Sequence, residues 1–165
     1  MAWTRKRKKY SKPRKLYDKT RIEEENELVK KYGLKNKREI WKADAAIGRI
    51  RNLAKKLITA SPDEQEKLLS KLRHMGFKTE KIADVLGLNK ENWLKRRLQS
   101  ILIQKNMATP KEARQLIAHK HVIIGKNFVN IPGYIVKVDE ENKINVLKKI
   151  KKEEIKEAIG EIKNG

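Results

Sequence analysis

The sequence predicts an α+β chain, mostly helical: a helical N-terminal region with a basic arm, followed by a small module of two helices and a β-hairpin. Three observations carry this. Between Ile22 and Ile117 apolar residues recur every three or four positions, punctuated by caps, prolines and glycines. After His119 the period drops to two, around Gly125-Lys126. Residues 1–21 hold Arg5, Lys6, Arg7, Lys8, Lys9, Lys12, Arg14, Lys15, Lys19 and Arg21 against a single acid, Asp18. Such a segment repels itself and buries little apolar surface. It reads as an arm that orders on phosphate, with Trp3, Tyr10 and Tyr17 free to stack on bases. The expected division is an arm at 1–21, a helical domain at 22–93, the module at 94–147 and a charged tail at 148–165.

Each element has its own local reason. Ile22, Leu28, Val29 and Tyr32 line one side of a first helix, which Gly33 can end in the left-handed conformation. A longer helix, about 37–58, gathers Ile40, Ile47, Ile50, Ala54, Leu57 and Ile58 on one face. Arg38, Lys42, Arg49 and Lys56 fall on the opposite face, where like charges repel unless a partner neutralises them. Ser61-Pro62-Asp63-Glu64 reads as a capped start with a capping box; Leu68, Leu69, Leu72 and Met75 follow, and Gly76 stops the helix. Thr79 opens a short helix closed by Gly87, and Asn89 caps the next, with Leu94, Leu98, Ile101 and Leu102 in helical register. Thr109-Pro110-Lys111-Glu112 repeats the cap signature; that helix is expected to bury Ala113, Leu116 and Ile117 and to point Arg114 and Gln115 outward. Val122–Ile124 and Phe128-Val129 flank Gly125-Lys126, which suits a type II′ turn. Ile135, Val136 and Val138 suggest a third strand; Ile144, Val146 and Leu147 suggest a fourth. From Lys148 the chain alternates Lys and Glu, as a weak helix or frayed tail does.

Composition narrows the function. The 165 residues carry 42 Lys and Arg against 21 Asp and Glu, a formal charge of +21, which favours a polyanion. With no Cys, disulfides, thiolate metal sites and thiol nucleophiles are excluded. No apolar run approaches the ~20 residues of a membrane span, and the N-terminus lacks the apolar stretch of a secretory signal. The expected setting is the cytoplasm, with no membrane partner. His119 and His121 have the i, i+2 spacing of a metal pair but no third ligand nearby; they read better as RNA donors or surface residues. No Gly-rich phosphate loop and no nucleophile or acid/base set is evident. The expectation is therefore no enzyme, no metal and no cofactor.

Residues 79–98, TEKIADVLGLNKENWLKRRL, also fit a DNA-binding helix-turn-helix, with Lys95 and Arg96 on its second helix. Trp93 and Leu94 sit where base-reading side chains belong, and the charge is spread over the chain instead of one helix. A DNA-binding regulator is thus the alternative reading, and folded RNA the favoured partner.

The segment Arg96–Val136, with ARQLI followed by His119-Lys120-His121-Val122 and a glycine turn, resembles the S-four RNA-binding domain. The stretch RIEEENELVKKYGLKNKREIWKADAAIGRIR at 21–51, together with GFKTEKIADVLGL and WLKRRLQS, resembles the flanks found in the archaeal and eukaryotic form of the S-four family of small ribosomal subunit proteins. That resemblance implies a structural role. Such a protein binds small-subunit ribosomal RNA at a helix junction, nucleates assembly, helps line the messenger entry region and neighbours protein S-five. It implies RNA contacts from the arm (Arg5, Lys6, Arg7, Lys8, Lys9, Lys12, Arg14, Lys15), and from Arg38, Lys42, Arg49 and Lys56. In the module it implies contacts from Lys95, Arg96, Arg97, Thr109, Lys111, Arg114, Gln115, His119, Lys120, His121 and Lys126. The chain departs from the family pattern at Lys120, where a Gly is usual, and at Gly125-Lys126, where Asn-Gly is usual. The zinc-binding cysteines of some members are missing, which removes zinc.

Overall fold

The computed structural model describes residues 9–147. The charged tail expected at 148–165 lies outside them. Helix α1 (Lys19–Tyr32) is followed by the 20-residue α2 (Arg38–Leu57), then α3 (Pro62–His74), α4 (Ile82–Leu86) and α5 (Lys90–Lys95). Because α1 begins at Lys19, the arm is shorter than its expected span to residue 21; Asp18 stands at the N-cap and Arg21 already pairs with Glu25.

Helix α2 is the spine. Its inward residues Ile47 and Ala54 join Leu68, Leu69 and Leu72 of α3 and Val85 of α4 in one core. Nearer its N-terminus, Ile40 and Ala43 join Leu28 and Tyr32 of α1 and Leu94 of α5 in a second core. The apolar stripe read from the sequence is therefore split between two sets of partners. Ile58, read as the end of that stripe, is 54% exposed, because the helix stops at Leu57.

The module forms a third core. Helices α6 (Leu98–Gln104) and α7 (Pro110–Ala118) pack against a small antiparallel sheet of β1 (Val122–Ile124), β2 (Asn127–Phe128) and β3 (Ile144–Val146), in the order β2-β1-β3. Val122 and Ile124 face inward and Ile123 faces out, as the pleat requires. Leu98, Ile101, Leu102, Ala113, Ile117 and Val136 are fully buried beneath the sheet. Ile124 pairs with Asn127 across the two-residue turn, and Gly125 alone takes a positive φ, +62°, the sign pattern of a II′ turn.

The sheet corrects one expectation. Ile135, Val136 and Val138 do not make a strand. Ile135 forms a single bridge with Arg97, and Val138–Glu141 turns into a short helix, α8. Asp139, Glu140 and Glu141 fill its first turn, where the helix dipole favours acids, and Glu140 accepts the Lys137 N–H at 3.3 Å. The strand expected fourth is the one that pairs with β1, as β3.

Helix ends follow backbone chemistry more than side-chain caps. The box expected at Ser61 does not form; the Glu64 N–H donates to the Ser61 carbonyl instead. Thr79 does not open α4: it is buried, and Asp84 anchors the helix by accepting the N–H groups of Glu80 and Lys81 at 2.9 Å each. The Asn89 side chain accepts from Arg51 and does not cap α5. At Gly33, Gly76, Asn106 and Lys120 the chain passes through the left-handed region as a helix ends.

Candidate nucleic-acid interface

The solvent side of α2 is a cationic strip. Arg38, Lys42, Arg49 and Lys56 are all exposed, and none makes an ion pair among the described residues. The arm approaches the same region. Lys9, Lys12, Arg14 and Lys15 are exposed, and the Tyr10 ring lies 6.1 Å from the Trp41 ring of α2. The Lys15 and Leu16 carbonyls accept from Arg21 at 3.0 and 2.9 Å. Arg21 is held in turn by Glu25 at 2.6 Å; Trp41 donates to the same carboxylate at 3.0 Å, and Lys37 lies 3.5 Å from it. Burial alone would raise the Glu25 pKa, but the Trp41 and Arg21 donors outweigh it, and the group stays below the ordinary carboxylate value. Tyr17, 92% exposed, keeps its face open for stacking. Arg5, Lys6, Arg7 and Lys8 lie outside the described residues.

A second cluster sits at the ends of α7. At its start Thr109 and Lys111 are exposed, and Glu112 accepts both the Thr109 N–H (3.0 Å) and its hydroxyl (2.8 Å). This closes the capping box and sets the Glu112 carboxylate at the positive end of the helix dipole. At its far end the Lys120 N–H donates to the Ile117 carbonyl and the His121 N–H to the Leu116 carbonyl, a Schellman closure. Lys120 carries the left-handed turn, φ +61°, without being Gly. The closure swings His119 and His121 to the same side, ring centroids 6.3 Å apart, around a shallow pocket shared with Gln115, Leu116 and Met107. Lys126, in the hairpin turn, is exposed.

Three of the residues expected to contact RNA turn toward the protein itself. Arg96 turns inward: its guanidinium donates to the Met75 carbonyl (3.0 Å), the Val136 carbonyl (2.9 Å) and Glu141 (2.9 Å), tying α3, the module and α8 together. Arg97 is 5% exposed and donates to Glu39 on α2 at 2.5 Å. Arg114, expected to point outward, is half-buried and reaches the other oxygen of Glu39 at 3.1 Å. One carboxylate thus holds two guanidinium groups from the link and from α7. Burial pushes the Glu39 pKa up, Arg97 and Arg114 pull it down, and the net shift is downward. Around them Lys9, Lys42, Trp93 and the Ile131–Gly133 loop line a groove of about 440 Å³. Glu39 was missed from the sequence. The signal available was a single acid inside the basic run Lys35–Lys42, which reads equally well as a charge placed at a helix N-terminus.

The helix-turn-helix segment has no free recognition helix. α5 is six residues long, Leu94 is fully buried in the α1–α2 core, and the Trp93 ring stacks 6.0 Å from Phe77. Lys95 is exposed, but Arg96 and Arg97 are committed inward. Geometry of this kind does not place a helix in a major groove.

Comparison with known proteins gives the family of the chain. A family model described as "S4 domain" matches residues 96–142, the span of α6, α7, β1, β2 and α8. The chain is 44% identical over 145 residues to "Small ribosomal subunit protein uS4" of Methanothermobacter thermautotrophicus, covering 84% of this chain and 85% of that protein. It is 44% identical over 147 residues to the protein of the same name from Saccharolobus islandicus, covering 84% and 81%. The Thermoplasma volcanium protein of that name is 42% identical over 147 residues, covering 83% and 74%. With 84% of the chain covered at 44% identity, far more than the module alone, the chain belongs to the uS4 family of small ribosomal subunit proteins.

Proposed function

We propose that this protein is a structural constituent of the small ribosomal subunit that binds small-subunit ribosomal RNA and acts in the cytoplasm as part of the ribosome. The observation that carries the reading is the set of exposed cations without ion-pair partners among the described residues: Arg38, Lys42, Arg49 and Lys56 on α2, and Lys111, Lys120 and Lys126 on the module. A protein at +21 that leaves such strips unpaired is electrostatically incomplete until phosphates cover them. The mechanism is geometric as well as electrostatic. Cations on α2 and on the ends of α7 belong to two regions joined by the Arg97–Glu39 and Arg114–Glu39 ion pairs, so RNA segments bound to each are held at a set angle.

The finer proposal is that the RNA site is a helix junction, that binding nucleates assembly, and that the assembled protein neighbours protein S-five and helps line the messenger entry region. It is supported by family membership and by exposed cations on both α2 and the module. Crosslinking with sequencing in cells tests it. Recovery of one junction of small-subunit ribosomal RNA is expected; recovery of genomic DNA, or of RNA scattered without a preferred site, would overturn it.

A further inference from the structure

The outer face of the module's sheet is apolar and has no partner among the described residues. Val122, Ile124 and Ile144 point into the core, so the pleat turns their neighbours outward. Ile123 stands opposite Phe128 on one side and Asn145 on the other, which puts all three on that outer face. Leu147 joins them: it lies two residues beyond Asn145, and its N–H donates to the His121 carbonyl at 2.8 Å. Phe128 and Leu147 are exposed. At the hairpin end of the sheet Lys126 and Lys143 are exposed too, without ion pairs among the described residues. The chain leaves the described residues at Leu147, on this face, and residues 148–165 follow. Ile155, Ile159 and Ile162 recur among them at intervals of four and three, one stripe at helical spacing. Residues 153–165 hold four Glu against two Lys, an acidic stretch in a chain at +21. Such a stretch is repelled by phosphates and complements the Lys126–Lys143 end of the sheet.

We propose that residues 148–165 fold back over the module, with Ile155, Ile159 and Ile162 laid across Phe128, Ile123 and Leu147. Wound as a helix, residues 153–162 span about 15 Å, against about 13 Å of strand from Leu147 back to Lys143. Residues 148–152 supply the reversal. Glu154 and Glu161, seven apart, share one flank of the isoleucine stripe, and Glu161 ends beside Lys143 and Lys126. Three apolar side chains make too small a patch for a second copy, since a specific interface takes about 800 Å² from each partner. A tethered segment needs far less, because a short linker holds it at an effective concentration in the millimolar range. A helix this short is marginal in water, and Gly160 weakens it further, so the cover forms only with the isoleucines seated.

The chain has no Cys, so a single introduced thiol carries a spin label without competition. Lys163→Cys places the label beside the isoleucine stripe, and nuclear magnetic resonance of the isotope-labelled full chain reads which backbone amides it broadens. Ile123, Phe128, Lys143 and Asn145 are expected to broaden, with Ser70 on the exposed side of α3 untouched. Ile155→Ser together with Ile159→Ser keeps the charge and the tether but removes apolar contacts, at about tenfold or more per residue in the docking equilibrium. Broadening at Phe128 and Lys143 should collapse in that variant, with the amides of α7 unshifted because neither isoleucine belongs to the module's core. Gly160→Ala should do the reverse and deepen the broadening. A label that broadens only the amides next to Leu147, as a segment docked nowhere or held only by RNA would, overturns the cover. So does broadening at Phe128 that survives the double serine change. Broadening that arises between a spin-labelled chain and a separate isotope-labelled chain assigns the face to a second copy and overturns it as well.

Discussion

The side-chain amide of Gln99 donates to the Gly33 carbonyl at 2.9 Å, joining the first residue past α1 to the module. The same nitrogen donates to the Pro110 carbonyl at 2.8 Å, and Gln99 is 1% exposed. One buried amide therefore pins the end of α1 and the start of α7 to α6. Gln99→Leu keeps much of the volume but leaves both carbonyls without this donor. It is expected to cost about 1–3 kcal/mol of stability, the scale of buried groups left unsatisfied. Urea denaturation followed by circular dichroism measures it; a midpoint within error of wild type would remove Gln99 as a staple.

Glycines sort by backbone and space. Gly33, at φ +59°, has Pro110 Cβ only 2.6 Å from where its own Cβ would stand, so Gly33→Ala should destabilise by more than the ~1 kcal/mol of the left-handed conformation. Gly76→Ala meets the Arg96 guanidinium as well as a φ of +82° and should behave alike. Gly48, inside α2 with open space around it, should do the reverse: Gly48→Ala is expected to stabilise by roughly 0.5–1 kcal/mol. Thermal melts of the three variants test the ordering.

Lys120 holds a left-handed conformation that favours glycine. Lys120→Gly should relieve that strain and leave stability unchanged or up to about 1 kcal/mol higher, the unfolded chain's extra freedom offsetting part of the gain. It also removes an exposed cation beside His119 and His121. Affinity for ribosomal RNA is expected to fall as stability holds, and a variant that loses stability would show that the Lys120 side chain packs.

Acid should loosen the protein through two carboxyls, buried Glu25 and half-buried Glu39. Burial pushes Glu25 and Glu39 up, but Trp41 and Arg21 at the first, and Arg97 and Arg114 at the second, hold both below the ordinary value of 4.5. A carboxyl depressed on folding contributes stability that is fully present above its unfolded pKa and lost as pH falls through its folded pKa. Stability should therefore be level from neutral pH down to about 5 and fall below 4.5, less steeply in Glu25→Gln than in wild type. Denaturant midpoints between pH 3 and 7 give the answer.

Binding to ribosomal RNA should depend steeply on salt. If six or more of the exposed cations neutralise phosphates, affinity should drop by roughly 10³-fold between 50 and 200 mM salt. A nearly flat dependence would sink the electrostatic mechanism.

What the sequence determined is what local physics decides. Gly33 ends α1 because it tolerates a left-handed φ. Pro110 and the Thr109–Glu112 pair start α7, and Gly125 sets a two-residue hairpin whose register follows from the turn. The apolar spacing likewise named nearly every residue of the module's core, since periods of 3.6 and 2 report burial directly. The exposure of Arg38, Lys42, Arg49 and Lys56 was legible for the same reason: they oppose the buried stripe on one helix. The direction of an arginine is a different matter. Arg97 and Arg114 have the same local pattern as solvent-facing cations, and what turns them inward is Glu39, 58 and 75 residues away in the chain. Arg96 is drawn in by carbonyls of Met75 and Val136, whose positions depend on how α3 and the sheet pack. Residues 138–141 became helix because acids favour a helix N-terminus more strongly than three apolar residues favour a strand without a partner. Long, flexible charged side chains answer to whichever opposite charge the fold brings within reach, and only the tertiary structure fixes that.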